Sequence, residues 1–268
     1  MKLQTVPANR GSAWVKQGFR VFFKQPLAFA ALFAAFMFAV FLLAMVPFVG
    51  SLVVLALLPL VSLGYMIATK RVLEGGFPTP QVYFEPLRGP RPQLVAMVQM
   101  GLAYAMATFV IMWLSDLVDG GAFEALMDAL PDAQKAPDAV AAKLVDPRLA
   151  LGMMLRFALA GLLSVPFWHA PALVHWDGHG CEKALFSSTL ACWRNKGAFT
   201  VYSAVWMALI AGLGAAGSIL FGLLGAPQVF AVVAVPLSLL ITTVFYASLY
   251  FTFADSFVSS DTVVAHVG

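Results

Sequence analysis

The chain has 268 residues, 61% of them hydrophobic and 11% charged, with a formal net charge of +3. Soluble domains are about half apolar and a quarter charged, so a water-solvated globular fold is excluded and lipid must be the main solvent. The small basic excess resides in loops and does not imply nucleic acid as a partner.

In chain order, Ser12 is placed to cap a helix over 12–25 that Pro26 ends. On it Lys16, Arg20 and Lys24 share one arc, and Trp14 belongs to an aromatic, apolar remainder. Such a helix suits the inner headgroup layer, where anionic lipid attracts each cation by about 1 kcal/mol. Trp14, Lys16, Arg20 and Lys24 are therefore the expected membrane-surface contacts. The apolar run that follows, from Leu27 to Val46, is too long for a signal-peptide core and ends without an A-x-A site, so it reads as a retained anchor.

A helix needs about 20 apolar residues to cross the hydrocarbon layer. Six stretches meet that length: 27–49, 51–69, 94–114, 157–174, 198–224 and 229–251. The expected fold is all-α, a six-helix transmembrane bundle preceded by the interfacial helix. Twelve of the sixteen basic residues fall in the N-terminal segment and the second and fourth loops, which a six-span chain puts on one side. Short loops rich in Lys and Arg stay in the cytoplasm, so a bacterial inner-membrane location with both termini cytoplasmic is expected. The opposite side receives an acidic loop over 115–148 with seven acids against three bases. Within it Ala122, Phe123, Leu126, Met127 and Leu130 recur at helical spacing before Pro131. The block Phe23–Phe29 parallels Trp193–Phe199, and each precedes a two-span hairpin, an arrangement of parallel repeats.

The residues that could carry chemistry are few. His169, His175, His179 and Cys181 are candidate metal ligands by type, but Asp177-Gly178 interrupts the helical spacing, and polar residues crowding a helix end explain them as well. Pro166 and Pro171 flank His169 and remove two backbone donors, which predicts a broken or kinked fourth span. Gly214, Ser218 and Gly222 recur every four residues in the fifth span, a helix-packing stripe. Ser238, Thr242, Tyr246 and Tyr250 form a hydroxyl stripe in the sixth. There is no P-loop or H-E-x-x-H stretch and no carboxylate inside a predicted span, so no cofactor, nucleotide-driven pumping or ion-coupled transport is expected. With thiols only at Cys181 and Cys192, on the side expected to be cytoplasmic, no disulfide is expected.

The opening Pro7-x-x-Arg10-Gly11-x-x-Trp14-x-x-x-Gly18-x-x-x-Phe22 with Gln25-Pro26, and the later Ala184-Leu185-Phe186-Ser187-Ser188 with Cys192-Trp193-Arg194-Asn195, resemble a proteobacterial family of integral membrane proteins with no assigned activity. The likeness covers most of the chain, and is more distantly similar to the membrane domain found beside some glycerophosphodiester phosphodiesterases. It implies fold and location and adds no reaction. Three readings follow. The first is a non-enzymatic scaffold or organiser whose partners are the bilayer, anionic headgroups, and other membrane proteins or a second copy. The second is a passive channel or carrier for a small or lipidic molecule, and an enzyme is third. A carrier requires a polar cavity reaching mid-membrane, and a scaffold dry packing throughout. A metal enzyme requires three of the His, Asp and Cys side chains around one point.

Overall fold

The structure is a computed structural model describing residues 1–47, 49–132 and 137–258. Phe48, four residues of the predicted 115–148 loop and the tail beyond 258 lie outside the described residues. The described chain is almost entirely helical: α1 (Arg10–Lys24), α2 (Pro26–Ala44), α3 (Val49–Leu73), α4 (Arg91–Asp119), α5 (Ala122–Ala129), α6 (Pro137–Leu144), α7 (Pro147–Phe167), α8 (Ala170–Asp177), α9 (Cys181–Arg194), α10 (Lys196–Leu223) and α11 (Pro227–Ser256). Six of its helical stretches are long and apolar enough to cross a membrane, the fourth being α7 with α8. The all-α six-helix bundle expected from the sequence is the fold observed.

The first residues of the chain are tied to those that follow the last helix. Lys2–Leu3 (β1) pairs antiparallel with Phe257–Val258 (β2), and the side chain of the buried Asn195 accepts from the backbone N–H of Val6 at 2.8 Å and donates to the carbonyl of Gln4 at 3.1 Å. We call this end of the bundle basal and the opposite end distal. Pro26 and Lys196 begin α2 and α10, so each of the hairpins α2–α3 and α10–α11 is preceded by a short helix broken at an amide residue, Gln25 or Asn195. Element order is thus the same in the two blocks that the sequence pairs.

Helix α1 differs from expectation in its start and its setting. It begins at Arg10, two residues before Ser12, because Pro7–Arg10 already closes a turn, Arg10 N–H donating to the Pro7 carbonyl at 3.0 Å. Its apolar face meets protein rather than lipid. Trp14 has 0% exposure, lies 5.3 Å from Phe199 and 6.0 Å from Tyr202 between ring centroids, and donates its indole N–H to Asp255 at 2.6 Å. Trp14 is therefore not a membrane-surface contact. Close approach is what buries it: a Cβ on Gly11 would collide with the backbone of α10, and one on Gly18 would lie 2.6 Å from the Ser248 Cβ of α11. Lys16, Arg20 and Lys24 remain exposed on the outer arc.

The fourth span also shifts. It begins at Pro147, ten residues before the predicted 157, with Asp146 as its N-cap accepting from Arg148 N–H at 2.8 Å and proline at the first helical position. Arg156, expected at the span's edge, lies inside α7 because α4 neutralises it: it donates to Asp119 at 2.7 Å and to Asp116. Gly120 and Gly121, at φ +63° and +83°, turn the chain sharply from α4 into α5. Helix α5 forms where the outer-loop periodicity placed one, and Leu126, Val140 and Leu149 make a small distal core beneath it.

Packing is uneven along the membrane normal. The main core is basal: buried residues run from Ala28 to Leu32 in α2, Pro59 to Val72 in α3, Ala96 to Ala105 in α4, Ala198 to Trp206 in α10 and Thr243 to Ser256 in α11. Beyond those levels, among the described residues, α10 and the distal part of α11 bury nothing, and α2 and α3 only Gly50. The distal halves are loosely packed: α4 and α7 stay joined there through Arg156 and Asp119, and each hairpin keeps a contact near its turn, Gly50 against Leu43 and Gly217 against Phe230.

Candidate functional site

The fourth span breaks at Trp168 and His169, between the two prolines that the sequence singled out. Pro166 and Pro171 cannot donate to the carbonyls of Leu162 and Phe167, so the helix loses two ladder bonds within one turn and a half. The His169 N–H could still reach Val165, but the Ser188 hydroxyl of α9 is inserted between them. It accepts from the His169 N–H at 3.0 Å and donates to the Val165 carbonyl at 3.0 Å. The Cys192 thiol approaches the same carbonyl at 3.7 Å. Helix α8 then restarts, with His169 as its N-cap.

Thr252 of α11 organises the break's side chains. Its hydroxyl donates to the Leu249 carbonyl at 2.8 Å and accepts from the Trp168 indole at 3.1 Å. With its single hydrogen used, the 3.2 Å contact to His169 Nε2 requires an Nε2–H donor. The His169 Nδ1 is buried without a hydrogen-bond partner among the described residues, against rings of Phe199, Phe253 and Phe257.

On its distal side the break faces a chamber of about 210 Å³, reached between α3, α4, α7 and α11. Leu58, Phe167, Phe245 and Leu249 make it mainly apolar, and Ser62, Tyr104, Ser164, Trp168 and Tyr246 add polar edges. Ser62 and Ser164 donate to their own helices, to Pro59 and Gly161 carbonyls. No hydrogen bond to another described residue engages the hydroxyl of Tyr104 or Tyr246. A second cavity of about 480 Å³ lies across α7, against α9 and α10, and shares Ser164 and Trp168 with the first.

The sequence-predicted metal ligands do not converge; among the described residues no three His, Cys, Asp or Glu side chains group around one point. His169 is enclosed by aromatic rings, His175 lies tilted against Trp176 with ring centroids 5.8 Å apart, and His179 pairs with Asp177 at 3.0 Å. Desolvation is the main cause of a lowered His179 pKa, with Lys183 adding to it. Burial raises the Cys181 thiol and pushes Cys192 up to about 12; both are free cysteines. Neither is an activated thiolate.

Gly214, Ser218 and Gly222 are not a packing seam within the chain: Ser218 is exposed, and a Cβ on Gly214 or Gly222 would meet nothing within 4 Å. The close crossings are made by Gly11, Gly18 and Gly101 instead, the last against the Ala56 carbonyl of α3. Ser218 also lies far from His169, since His169 packs on Phe199 at the start of α10 and Ser218 is 19 residues further along, about 28 Å of helix. Of the hydroxyl stripe, Tyr246 reaches the chamber while Ser238 is exposed and donates to its own helix, so the four hydroxyls do not line one path.

The sequence reading missed the distal cluster. Asp119 is fully buried, Arg156 is 14% exposed, and the guanidinium lies 4.4 Å from the Phe123 ring. A local signal was present in Asp146-Pro147, the N-cap and first helical residue that extend the span past Arg156.

Compared with known proteins, the chain is 33% identical over 258 residues to a probable inner membrane protein of Burkholderia thailandensis, covering 96% of this chain and 94% of the relative. No protein-family profile matches the chain, and no solved structure matches it.

Proposed function

The chain belongs to the same family of inner membrane proteins as that relative, and from this premise we propose that it acts without covalent chemistry, binding a lipidic amphiphile and so organising the membrane around it. This reading is carried by the chamber at the helix break. Its wall is apolar except for hydroxyls, two of which, on Tyr104 and Tyr246, have no described protein partner. A polar group buried in hydrocarbon without a partner costs free energy, so those hydroxyls favour a ligand that brings one. At about 210 Å³ the chamber is smaller than an ordinary small-molecule site. It accepts the polar end of an amphiphile whose chains stay in the open distal half.

A pore is disfavoured because the basal half is filled by a dense aromatic core that includes Trp14, Phe29, Tyr65 and Tyr202. The separation of the reactive side chains supports a non-enzymatic role, as does the absence of an activated nucleophile among the described residues. No comparison links the chain to glycerophosphodiester phosphodiesterases, and no reaction is drawn from that resemblance. The basic residues gathered at the basal end favour that end, and the N terminus, being cytoplasmic.

The test is native mass spectrometry of protein purified in mild detergent, comparing the parent with Tyr104→Phe combined with Tyr246→Phe. Loss of a co-purifying lipidic adduct in the double variant is the expected result. An adduct of unchanged occupancy, or none on the parent, overturns the reading. An assembling role is a second reading, favoured by the unpartnered distal face of α10; a single oligomeric state for the parent and for Gly222→Leu would remove it.

A further inference from the structure

The larger cavity, against α9 and α10, is a separate site with its own chemistry. It is a groove of about 480 Å³ walled by Gly161, Val165 and Trp168 on one side and by Phe199, Thr200 and Ser203 on the other, with Trp193 and Lys196 at its basal end. Residues 161, 165 and 168 recur on one face of α7, and 196, 200 and 203 on one face of α10, so the groove runs along the helices for about 10 Å, parallel to the membrane normal. Its floor is kept open at Gly161, where a Cβ would meet nothing within 4 Å.

Charge is confined to one end. The Lys196 ammonium lies 5.2 Å from the Trp193 ring centroid and forms no salt bridge to a described residue, and no acid lines the groove. Trp193 is 70% exposed beside it. A tryptophan and a lysine at the end of an apolar channel oriented along the membrane normal match the two ends of a phospholipid: headgroup phosphate at the interface, acyl chain inward. The Ser203 hydroxyl, without a described hydrogen-bond partner, faces the same groove. A peptide is a poorer fit, since nothing along the walls offers the row of backbone partners that a peptide needs.

We infer that the α7–α9–α10 groove is a binding site for an anionic phospholipid of the basal leaflet, with Lys196 and Trp193 holding its headgroup and the walls from Val165 to Ser203 holding one acyl chain. The groove shares Ser164 and Trp168 with the mid-membrane chamber but does not depend on the amphiphile proposed there, whose test residues Tyr104 and Tyr246 lie outside it.

The experiment titrates delipidated full-length protein in mild detergent with phosphatidylglycerol or phosphatidylethanolamine of the same acyl chains and reads bound lipid by native mass spectrometry. Phosphatidylglycerol should bind several-fold better, and Lys196→Gln should weaken it about fivefold, the effect of one interfacial cation. Lys183→Gln, also exposed but on α9 outside the groove, is the control and should change binding less than twofold. Ser203→Trp fills the groove without changing charge and should displace both lipids. Equal binding of the two lipids overturns the assignment, as does unchanged binding in either Lys196→Gln or Ser203→Trp. Both positions are exposed, and circular dichroism of each variant verifies that it is folded.

Discussion

Replacing Asp119 by alanine isolates the distal clamp between α4 and α7. In the parent the Asp119 carboxylate, fully buried, accepts from Arg156 Nη1 at 2.7 Å and from Gly121 N–H at 2.8 Å. The substitution leaves Arg156, 14% exposed, with the Phe123 ring and with Asp116, which is itself 53% exposed. Removing one partner of a buried ion pair costs about 3–5 kcal/mol, because the other charge remains desolvated. Asp116 and Phe123 retain part of the compensation, so about 3 kcal/mol is expected. For a chain near this size that lowers the melting temperature by roughly 6–12 °C. Arg156→Met should cost a similar amount, since it leaves a buried carboxylate with one donor. The double variant buries neither charge and should cost much less than the two singles together. Thermal unfolding in mild detergent, followed by tryptophan fluorescence, measures all three. Single substitutions costing under about 1 kcal/mol, or costs that add to within about 0.5 kcal/mol in the double variant, would refute the coupling.

Three more outcomes follow from the packing. Ser188→Ala strips the partner from the Val165 carbonyl and the His169 N–H; at about 1–3 kcal/mol per buried group it should destabilise by about 2–4 kcal/mol, and faster hydrogen exchange at His169 should accompany the loss. Gly18→Val must push a side chain into Ser248 and should cost about 1–3 kcal/mol by overpacking, whereas Gly222→Val, facing open space, should stay within about 0.5 kcal/mol in the same melt. Because the Cys192 pKa lies near 12, its thiol is protonated throughout the neutral range. At pH 8 a maleimide should label Cys181 well before Cys192, as peptide mapping will report.

Six spans are legible in the sequence because a run of apolar residues must match the thickness of hydrocarbon, a constraint that is local and one-dimensional. What failed depended on partners distant in the chain. Arg156 marked the edge of a span only for a reader who could not see Asp116 and Asp119, 40 and 37 residues earlier, neutralising it. Helix α1 was recognisable as amphipathic, but an apolar face has the same pattern whether it meets lipid or protein. Gly11 and Gly18 carried the distinction: glycines on that face permit backbones to touch, which contact with lipid never requires. The reverse holds for Gly214 and Gly222, small residues with no neighbour to admit. For the candidate site, the break lies between Pro166 and Pro171. Ser188, which completes it from another helix, had no signature in sequence.

The uneven packing follows from where the large rings fall. In the basal half Trp14, Phe29, Tyr65, Tyr202, Trp206 and Phe245 are close enough to pair, with centroid separations such as 5.6 Å for Trp206 and Phe245. Rings of this size bridge helix axes and exclude lipid between them. Past Trp206, α10 carries no further ring until Phe221, and small residues dominate from Ala211 to Ser218; Leu209 still packs against the core, and the α11 ring of Phe230 comes close at Gly217. With no hydrophobic force between helices in lipid, small side chains without a close-fitting partner supply little cohesion. On the proposed reading lipid fills the distal space, and the chamber at the break is where that space meets the first polar groups above the basal core.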